Sequence, residues 1–236
     1  MVKRRNVGNQ TVELTEASVS ERLMLALNSL ELIATPAQQT ILLEYLTQLL
    51  RWNKTYNLTA IRDPNQALVH HIFDSLSLVN PVRRQLMLSA TVNETIIDVG
   101  SGGGLPGIIL AIMLPTVKIT CVDAVEKKAL FVRQMAGVLA LKNLNALHAR
   151  IETLAPLHST IVTSRAFASL TDFAQLAGKH VSEQGHLLAM KGVTPTEEIA
   201  ALETLTTWSA LEVEPLTVPE LEAQRCLVWM QRKGTQ

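Results

Sequence analysis

The chain has 236 residues, of which 47% are hydrophobic and 18% are charged, and its 21 basic residues balance 21 acidic ones. This is the composition of a globular protein with ample apolar material for a core, and no apolar run reaches the ~18 residues of a membrane span. The basic N-terminus, MVKRRNVGNQTVELTE, lacks the apolar stretch of a secretory signal. A cytoplasmic protein without a membrane segment is therefore expected.

The zero net charge conceals an uneven distribution. Residues 193–224 contain seven Glu and no Lys or Arg, so the rest of the chain sets 14 acidic residues against all 21 basic ones, a net charge of +7. A basic remainder beside an acidic segment permits an RNA-facing surface. Neither cysteine has a Cys or His partner at metal-ligand spacing, and the neighbours His70 and His71 cannot both point one way on a helix, so no metal site is expected.

The first part of the chain is predicted to be helical. Thr35, followed by a proline, is a typical N-cap for the second helix, and Asp63, also followed by a proline, starts the third. That third helix is predicted to end near Asn80 and Pro81. The predicted helices are SVSERLMLALNSLELIA, AQQTILLEYLTQLLRWNK and NQALVHHIFDSLSLV.

From about residue 95, apolar β-branched runs alternate with helical runs. The predicted strands are TIIDVG, KITCVDA, NLNALHAR, TIVTSRA, GHLLAMKG, ALEVEPLTV and RCLVWMQRK. Alternating βα units give a parallel, doubly wound α/β sheet, and the last two strands, which have no helix between them, must pair antiparallel. A parallel sheet with a terminal hairpin is typical of the Rossmann-like class I S-adenosylmethionine-dependent methyltransferase fold. The predicted organisation is a flexible basic tail (1–17), a helical N-terminal extension (18–90) and a methyltransferase core (91–236).

The stretch DVGSGGGLPG at residues 98–107 has five glycines in eight positions, which lets the backbone come close to a ligand. On paper it contains the dinucleotide pattern GxGxxG at Gly102, Gly104 and Gly107, with Asp123 about 20 residues on. The register argues against a dinucleotide, because the strand most naturally ends one residue before Gly100. An acid just before the loop would also repel a pyrophosphate, and no P-loop lysine follows.

The alternative interpretation is a strand, an acid and then GxGxG, the loop that surrounds the methionine part of S-adenosylmethionine. Asp98 would face the amino group or the sulfonium region of this ligand, or would only cap the next turn. Asp123, at the end of the second strand, would accept hydrogen bonds from the ribose hydroxyls. Because S-adenosylmethionine carries no phosphate, acids at both strand ends are tolerable.

Several stretches together resemble the bacterial small-subunit ribosomal RNA guanine-N7 methyltransferase family, also called glucose-inhibited division protein B. They are RWNKTYNLTAIRDP, HHIFDSLSL, DVGSGGGLPGI, SRAFASL and AMKG, and they span residues 51–192. The family usually has a proline in place of one middle glycine of the loop, where this chain has Gly103. The resemblance implies S-adenosylmethionine as cofactor and N7 of a guanine in 16S ribosomal RNA as target, expected in the 530 loop near the decoding site. The implied partner is 16S rRNA or the small ribosomal subunit, and a monomer is expected.

Carried over residue by residue, the resemblance also implies cofactor contacts in the glycine loop, after the second and third strands, and at the arginine of SRAFASL. Together with the acid and glycine interpreted above, the candidate cofactor residues are Asp98, Gly100, Gly102, Leu105, Asp123, Ile151, Glu152 and Arg165. Without the resemblance, Glu152 is equally an acid favoured by the first turn of a helix.

The segment RWNKTYNLTAIRD mixes basic residues with Trp52 and Tyr56, a combination that suits RNA through phosphate contact and stacking. The plainer interpretation is a helix end whose aromatics pack on the core. Arg165 and Lys191, at carboxyl ends of strands, would hold phosphate or the guanine O6, or form salt bridges inside the site. The candidate RNA-binding residues are Arg51, Asn53, Lys54, Arg62 and Lys191.

Guanine N7 carries a lone pair and no proton, so direct in-line methyl transfer needs no general base and relies on positioning. No catalytic triad is expected from this chemistry. Two other hypotheses stay open from the residues: a small-molecule methyltransferase on the same fold, and a regulator of the NAD-binding class, such as a redox-responsive DNA-binding protein.

Overall fold

The structure, a computed structural model, describes residues 16–89, 93–165 and 167–234. The predicted basic tail lies outside the described residues but for its last two positions. The helical extension contains α1 (Glu16–Ser29), α2 (Pro36–Tyr56), α3 (Pro64–Ala67), a π-helical segment (Leu68–Phe73), α4 (Asp74–Leu76) and α5 (Val79–Leu88).

Helix α2 begins where the sequence predicts. The Thr35 hydroxyl accepts from the Gln38 backbone N–H, and the Gln38 side chain accepts from the Thr35 backbone N–H. This reciprocal capping box satisfies two N–H groups that the helix itself cannot. The helix ends at Asn57, whose backbone is left-handed with a φ of 49°.

The third predicted helix differs from the prediction in two ways. It is divided by the π-helical segment, and the chain does not leave helical structure at Asn80 and Pro81 but continues as α5 from Val79. Pro81 is tolerated there because it lies in the first turn, where the missing N–H would have no partner within the helix.

Seven strands form one sheet in the order β3-β2-β1-β4-β5-β7-β6. Their bounds are β1 (Thr95–Val99), β2 (Lys118–Asp123), β3 (Leu144–His148), β4 (Ser159–Ser164), β5 (Val181–Lys191), β6 (Trp208–Leu216) and β7 (Arg225–Arg232). The first five are parallel, and β7 inserts antiparallel between β5 and β6. The predicted parallel sheet with a terminal antiparallel hairpin is confirmed. The strand order reverses between β1 and β4, so a ligand crevice is expected at the carboxyl ends of these strands.

Helices cover both faces of the sheet. They are α6 (Gly107–Met113), α7 (Glu126–Val138), α8 (Leu170–Ala177) and α9 (Thr196–Leu205). On one face, α2 buries Leu42 and Leu49 in the same hydrophobic cluster as Ile108 of α6 and Phe131 of α7. The helical extension therefore packs directly on the core, and α2 passes beside the loop between β1 and α6. Among the described helices, none is long and apolar enough to cross a membrane.

Candidate functional site

The loop between β1 and α6 adopts a backbone that only glycine takes without strain. Gly100, Gly102 and Gly104 have φ angles of 68°, 59° and 84°, a region that residues with a Cβ rarely occupy. A Cβ built on Gly100 would meet no atom within 4 Å, so the backbone there borders open space. The glycines thus let a ligand approach the main chain at the end of β1.

Asp123 ties this loop to the end of β2. One carboxylate oxygen accepts from the backbone N–H of Gly102 at 2.8 Å, and the other accepts from the N–H of Val125 at 2.8 Å. Each carboxylate oxygen can accept a second hydrogen bond. The predicted ribose acceptor is therefore also a structural support of the glycine loop, a role that the sequence analysis missed.

Asp98 requires a correction. Its side chain is fully buried below the loop and accepts from the backbone N–H of Gly107, the first residue of α6, at 2.8 Å. The carboxylate therefore supports the turn, as the alternative interpretation held, and does not line an open ligand surface. Burial raises the pKa of Asp98 to about 7, because the charged form loses its hydration. Leu105 is also buried, which leaves only its backbone for a ligand.

A first cavity of about 230 Å³ lies at the ends of β1, β2 and β3. It is lined by Val99, Gly100, Val122, Ala124, Ala149, Arg150, Ile151, Glu152, Phe167 and Leu176. Three predicted cofactor residues from two separate parts of the chain, Gly100 and the adjacent Ile151 and Glu152, thus meet in one cavity. The carbonyl oxygens of Ile151 and Glu152 accept from His180 Nε2 at 2.8 Å and Lys179 Nζ at 2.7 Å, which holds this turn in place.

A second cavity of about 310 Å³ lies beyond β4, toward β5 and β7. It is lined by Ile61, His70, His71, Asp74, Arg165, Met190, Lys191, Gly192 and Arg225. Arg165, predicted as a cofactor residue, lies here and does not line the first cavity. Arg165 pairs with Asp74 at 3.5 Å and Lys191 pairs with Glu198 at 2.8 Å, so the salt-bridge interpretation describes both.

Asp74 and Arg225 of the second cavity are not among the residues predicted from the sequence. An acid inside the apolar helical run HHIFDSLSL was the available signal for Asp74, because a buried acid is rare unless it is paired. The Nε2 of His71 lies 2.9 Å from the Thr59 hydroxyl. Burial lowers the pKa of His71 to about 4, so its imidazole is neutral at neutral pH. Within the described ranges, no three His, Cys, Asp or Glu side chains form a group suited to a metal ion.

A basic groove of about 500 Å³ lies on the helical extension. It is lined by Thr47, Leu50, Arg51, Asn53, Lys54, Arg62 and Pro64. The exposed cations Arg51, Lys54 and Arg62 are therefore neighbours in space as well as in sequence. Arg62 is oriented by a 2.7 Å hydrogen bond to the side-chain oxygen of Asn57.

The prediction that Asn53 contacts RNA needs correction. Only 2% of the residue is exposed, and its amide donates to the Ile61 carbonyl and accepts from the Thr59 N–H. Asn53 therefore closes the turn after α2. Trp52 packs on Phe131 with ring centroids 5.4 Å apart, so the packing interpretation holds for Trp52. Tyr56 contacts Trp52 with tilted rings and is 43% exposed.

The sheet order and the glycine loop are those of the Rossmann-like methyltransferase fold. A solved S-adenosylmethionine-dependent methyltransferase from Aquifex aeolicus shares the fold, with a TM-score of 0.51 and 15% identity, over 78% of this chain and 97% of that chain. This likeness supports the fold alone, which agrees with the prediction.

The family follows from closer relatives. The family model described as rRNA small subunit methyltransferase G, GidB, matches residues 38–228. Proteins named ribosomal RNA small subunit methyltransferase G are 58% identical in Bordetella petrii, over 93% of this chain and 86% of the relative, and 46% identical in Methylibium petroleiphilum, over 92% and 96%. The chain therefore belongs to the rRNA small subunit methyltransferase G family, and the resemblance seen in its motifs is confirmed.

Proposed function

We propose that this protein is an S-adenosylmethionine-dependent methyltransferase that modifies N7 of a guanine in 16S rRNA, in the 530 loop near the decoding site. The observation that carries the proposal is the family match over residues 38–228, which includes the glycine loop, both cavities and the basic groove. We further propose that it acts as a monomer in the cytoplasm, where the ribosomal subunits that contain this RNA are assembled.

The residues present suit the proposed cofactor. The first cavity is lined mainly by apolar groups and by the Ile151 and Glu152 backbone, which suits adenine. Asp123, with unused acceptor capacity beside Gly102, suits ribose hydroxyls. The open backbone at Gly100 and the main chain of Leu105 suit the amino acid part. A ligand without phosphate is favoured, because a carboxylate stands at this edge of the sheet.

When bound, the cofactor supplies an electrophilic methyl group on a sulfonium. The chain needs no general base, because guanine N7 has a lone pair and no proton to remove. Its residues contribute by holding the guanine in line with the methyl group and by excluding water. The buried, neutral His71 lines the second cavity, and no proton-transfer role is required of it.

The second cavity suits the guanine. It adjoins the β4 end of the crevice and presents Arg165 and Lys191, whose N–H groups match the O6 acceptor on the same base edge as N7. The basic groove suits the RNA backbone, since Arg51, Lys54 and Arg62 are exposed cations along one depression. Phosphate contacts of this kind fix the orientation of the RNA without reading its sequence.

The proposal is tested by incubating the purified protein with methyl-labelled S-adenosylmethionine and one of three acceptors: protein-free 16S rRNA, isolated small subunits, or free guanosine. Label is expected in one guanine of the RNA, mapped by mass spectrometry of nuclease fragments, and strand cleavage by aniline after borohydride reduction should mark N7. Small-subunit RNA from cells lacking the gene should lack the same mark. Label in guanosine alone, or in no RNA acceptor, would contradict the proposal.

A further inference from the structure

Three basic side chains come to one edge of the sheet from three neighbouring strands. Arg165 directly follows β4, Lys191 is the last residue of β5, and Arg225 is the first residue of β7. Because β7 runs antiparallel to β5, its beginning lies at the edge where the parallel strands end. The register pairs Lys191 with Cys226, the neighbour of Arg225.

A single carboxylate from the helical extension joins two of these cations. Asp74 is only 3% exposed, and its Oδ1 accepts from Arg225 Nε at 2.9 Å while its Oδ2 lies 3.5 Å from Arg165 Nη1. Arg165 Nη1 also donates to the His70 carbonyl at 3.0 Å. Both guanidinium groups are therefore held in fixed positions at the wall of the second cavity.

The charges at this wall are not balanced. Arg165 and Arg225 share Asp74, and Lys191 pairs with Glu198, so three cations meet two carboxylates. His71 adds no positive charge at neutral pH because burial lowers its pKa to about 4. The side chains of Arg165 and Arg225 are only 26% and 24% exposed, and a cation that has lost most of its hydration is stabilised by an anion.

Arg225 also has unused donors. A guanidinium presents five N–H bonds, and those of Arg225 reach Asp74 through Nε and the Gln224 carbonyl through Nη1. In the part of the chain that the structure describes, Nη2 has no hydrogen-bond partner. The Nη2 of Arg225 can therefore bind one further oxyanion in the cavity, beside Lys191.

We propose that Arg225, assisted by Lys191, binds a phosphodiester group of the RNA next to the target guanine, and that Asp74 is the positioning residue for the Arg225 guanidinium. The proposal rests on the proposed function and adds the RNA group that this part of the second cavity recognises. A guanidinium binds phosphate oxygens through paired N–H groups, which fixes geometry as well as charge.

The sheet order favours a phosphodiester over the carboxylate of the cofactor. In the order β1-β4-β5-β7, Arg225 is three strands from β1, a distance of about 14 Å at the usual strand spacing. Apart from Arg165, which follows β4 and lines the second cavity, the candidate cofactor residues lie at the ends of β1, β2 and β3 or in the loop after β1. Arg225 is thus placed to contact the acceptor and not the adenosine end of the crevice.

The first experiment compares Arg225→Gln with a matched control, Arg84→Gln. Arg84 pairs with Glu214 at 2.8 Å and also joins the helical extension to the terminal hairpin, but it does not line the second cavity. Affinity for 16S rRNA is measured over a series of KCl concentrations, and affinity for S-adenosylhomocysteine is measured by calorimetry. Arg225→Gln should reduce the slope of log affinity against log salt by roughly 0.7–0.9, the loss of one phosphate contact, with unchanged S-adenosylhomocysteine binding. Arg84→Gln should change neither.

The second experiment places single uncharged methylphosphonates at the phosphates flanking the target guanine in a synthetic RNA. One position should weaken binding to the wild type, and Arg225→Gln should be insensitive at that same position. Asp74→Asn retains both arginines but should lose this position-specific effect. If Asp74 contributed to stability alone, the effect would remain. If Asp74→Asn does not fold, Arg225→Gln alone carries the comparison.

Three outcomes would overturn the inference: an unchanged salt slope for Arg225→Gln, equal methylphosphonate sensitivity of the variant and the wild type, or weaker S-adenosylhomocysteine binding at an unchanged slope. The last would assign Arg225 to the cofactor carboxylate. Failure of the proposed function is seen separately, because the wild type would then not methylate 16S rRNA at all.

Discussion

The hydroxyl of Tyr45 donates a 2.7 Å hydrogen bond to the carbonyl oxygen of Gly103, 58 residues further along the chain. Tyr45 is fully buried on α2, and burial raises the pKa of its phenol well above the usual value, so the hydroxyl keeps the proton that it donates. A Cβ on Gly103 would lie 2.9 Å from Leu49 of the same helix. The helical extension thus supports the glycine loop through Tyr45 and Leu49.

Tyr45→Phe should therefore weaken cofactor binding indirectly, through the loop that Tyr45 supports. The Gly103 carbonyl would lose its buried donor, at a cost of about 1–3 kcal/mol. If about 1.4 kcal/mol of this cost appears as lost binding free energy, S-adenosylhomocysteine binds about tenfold more weakly. Calorimetry measures this difference. Thr40→Val, which removes an exposed hydroxyl from the same helix, should have no effect. Equal affinity in the two variants would show that the bond supports the fold alone.

Asp123→Ala should weaken S-adenosylhomocysteine by about tenfold to a hundredfold, since charge-assisted hydrogen bonds contribute about 1.5–3 kcal/mol each. It should also lower the free energy of unfolding, because the N–H groups of Gly102 and Val125 lose their acceptor. Asp123→Asn, which keeps one acceptor oxygen, should lie between. A dissociation constant equal to that of the wild type would remove Asp123 from the ribose site.

Gly102→Val should abolish cofactor binding while circular dichroism still shows a folded protein. The position has a φ of 59°, which a β-branched residue adopts only with strain. Gly137→Ala is the matched control: this glycine lies in α7, without a positive φ and without any atom within 4 Å of an added Cβ, so about 0.5–1 kcal/mol of stabilisation is expected. Normal binding by Gly102→Val would mean that the loop does not hold the cofactor.

Asp98→Asn should change how stability depends on pH. The folded pKa of Asp98, about 7, lies above the ordinary value of 3.8, so its contribution is fully present below pH 3.8 and is lost as the pH rises toward 7. The wild type should lose up to about 1.4 kcal/mol per pH unit relative to Asp98→Asn within this window. Urea unfolding at pH 5, 6, 7 and 8 measures the difference, and a constant difference would place the proton elsewhere.

His71 acts in the opposite direction over much of the same window. Its folded pKa, about 4, lies below the ordinary 6.5, so its contribution is present above pH 6.5 and is lost as the pH falls toward 4. The two effects partly cancel in the wild type. The contribution of His71 cancels in the difference between the wild type and Asp98→Asn, because both proteins contain His71.

The basic groove is tested by replacing Arg51, Lys54 and Arg62 with alanine, singly and together. Each single change should reduce the slope of log RNA affinity against log salt by roughly 0.7–0.9. The triple variant should bind S-adenosylhomocysteine normally and leave 16S rRNA unmethylated. Asn53→Ala, in the same segment but buried, should lower stability instead of the salt slope. If the triple variant methylates RNA at the wild-type rate at limiting RNA, these cations are solvated surface groups that do not bind RNA.

Sequence periodicity was sufficient to predict the strands, the parallel direction of the first five and the terminal hairpin, because each βα unit carries its own apolar pattern. It also predicted that Gly100, Ile151 and Glu152 meet in one cavity, since parallel strands end at a common edge. It could not show that Asn53 is buried, because a polar residue between two cations looks exposed until the turn after it folds back. Nor could spacing reveal the contact between Asp74 and Arg225, which are 151 residues apart and meet only through tertiary packing.

The position of β7 in the sheet also constrains the order in which parts of the protein can fold during synthesis. The strand made last among those described is not at the rim of the sheet but between β5 and β6. Until β7 is made, the edge of β5 opposite β4 is unpaired and is prone to wrong pairing with other chains. A nascent chain can therefore form the crevice at β1, β2 and β3 before β7 is made. The second cavity, which Arg225 of β7 helps to line, stays incomplete until β7 has left the ribosome.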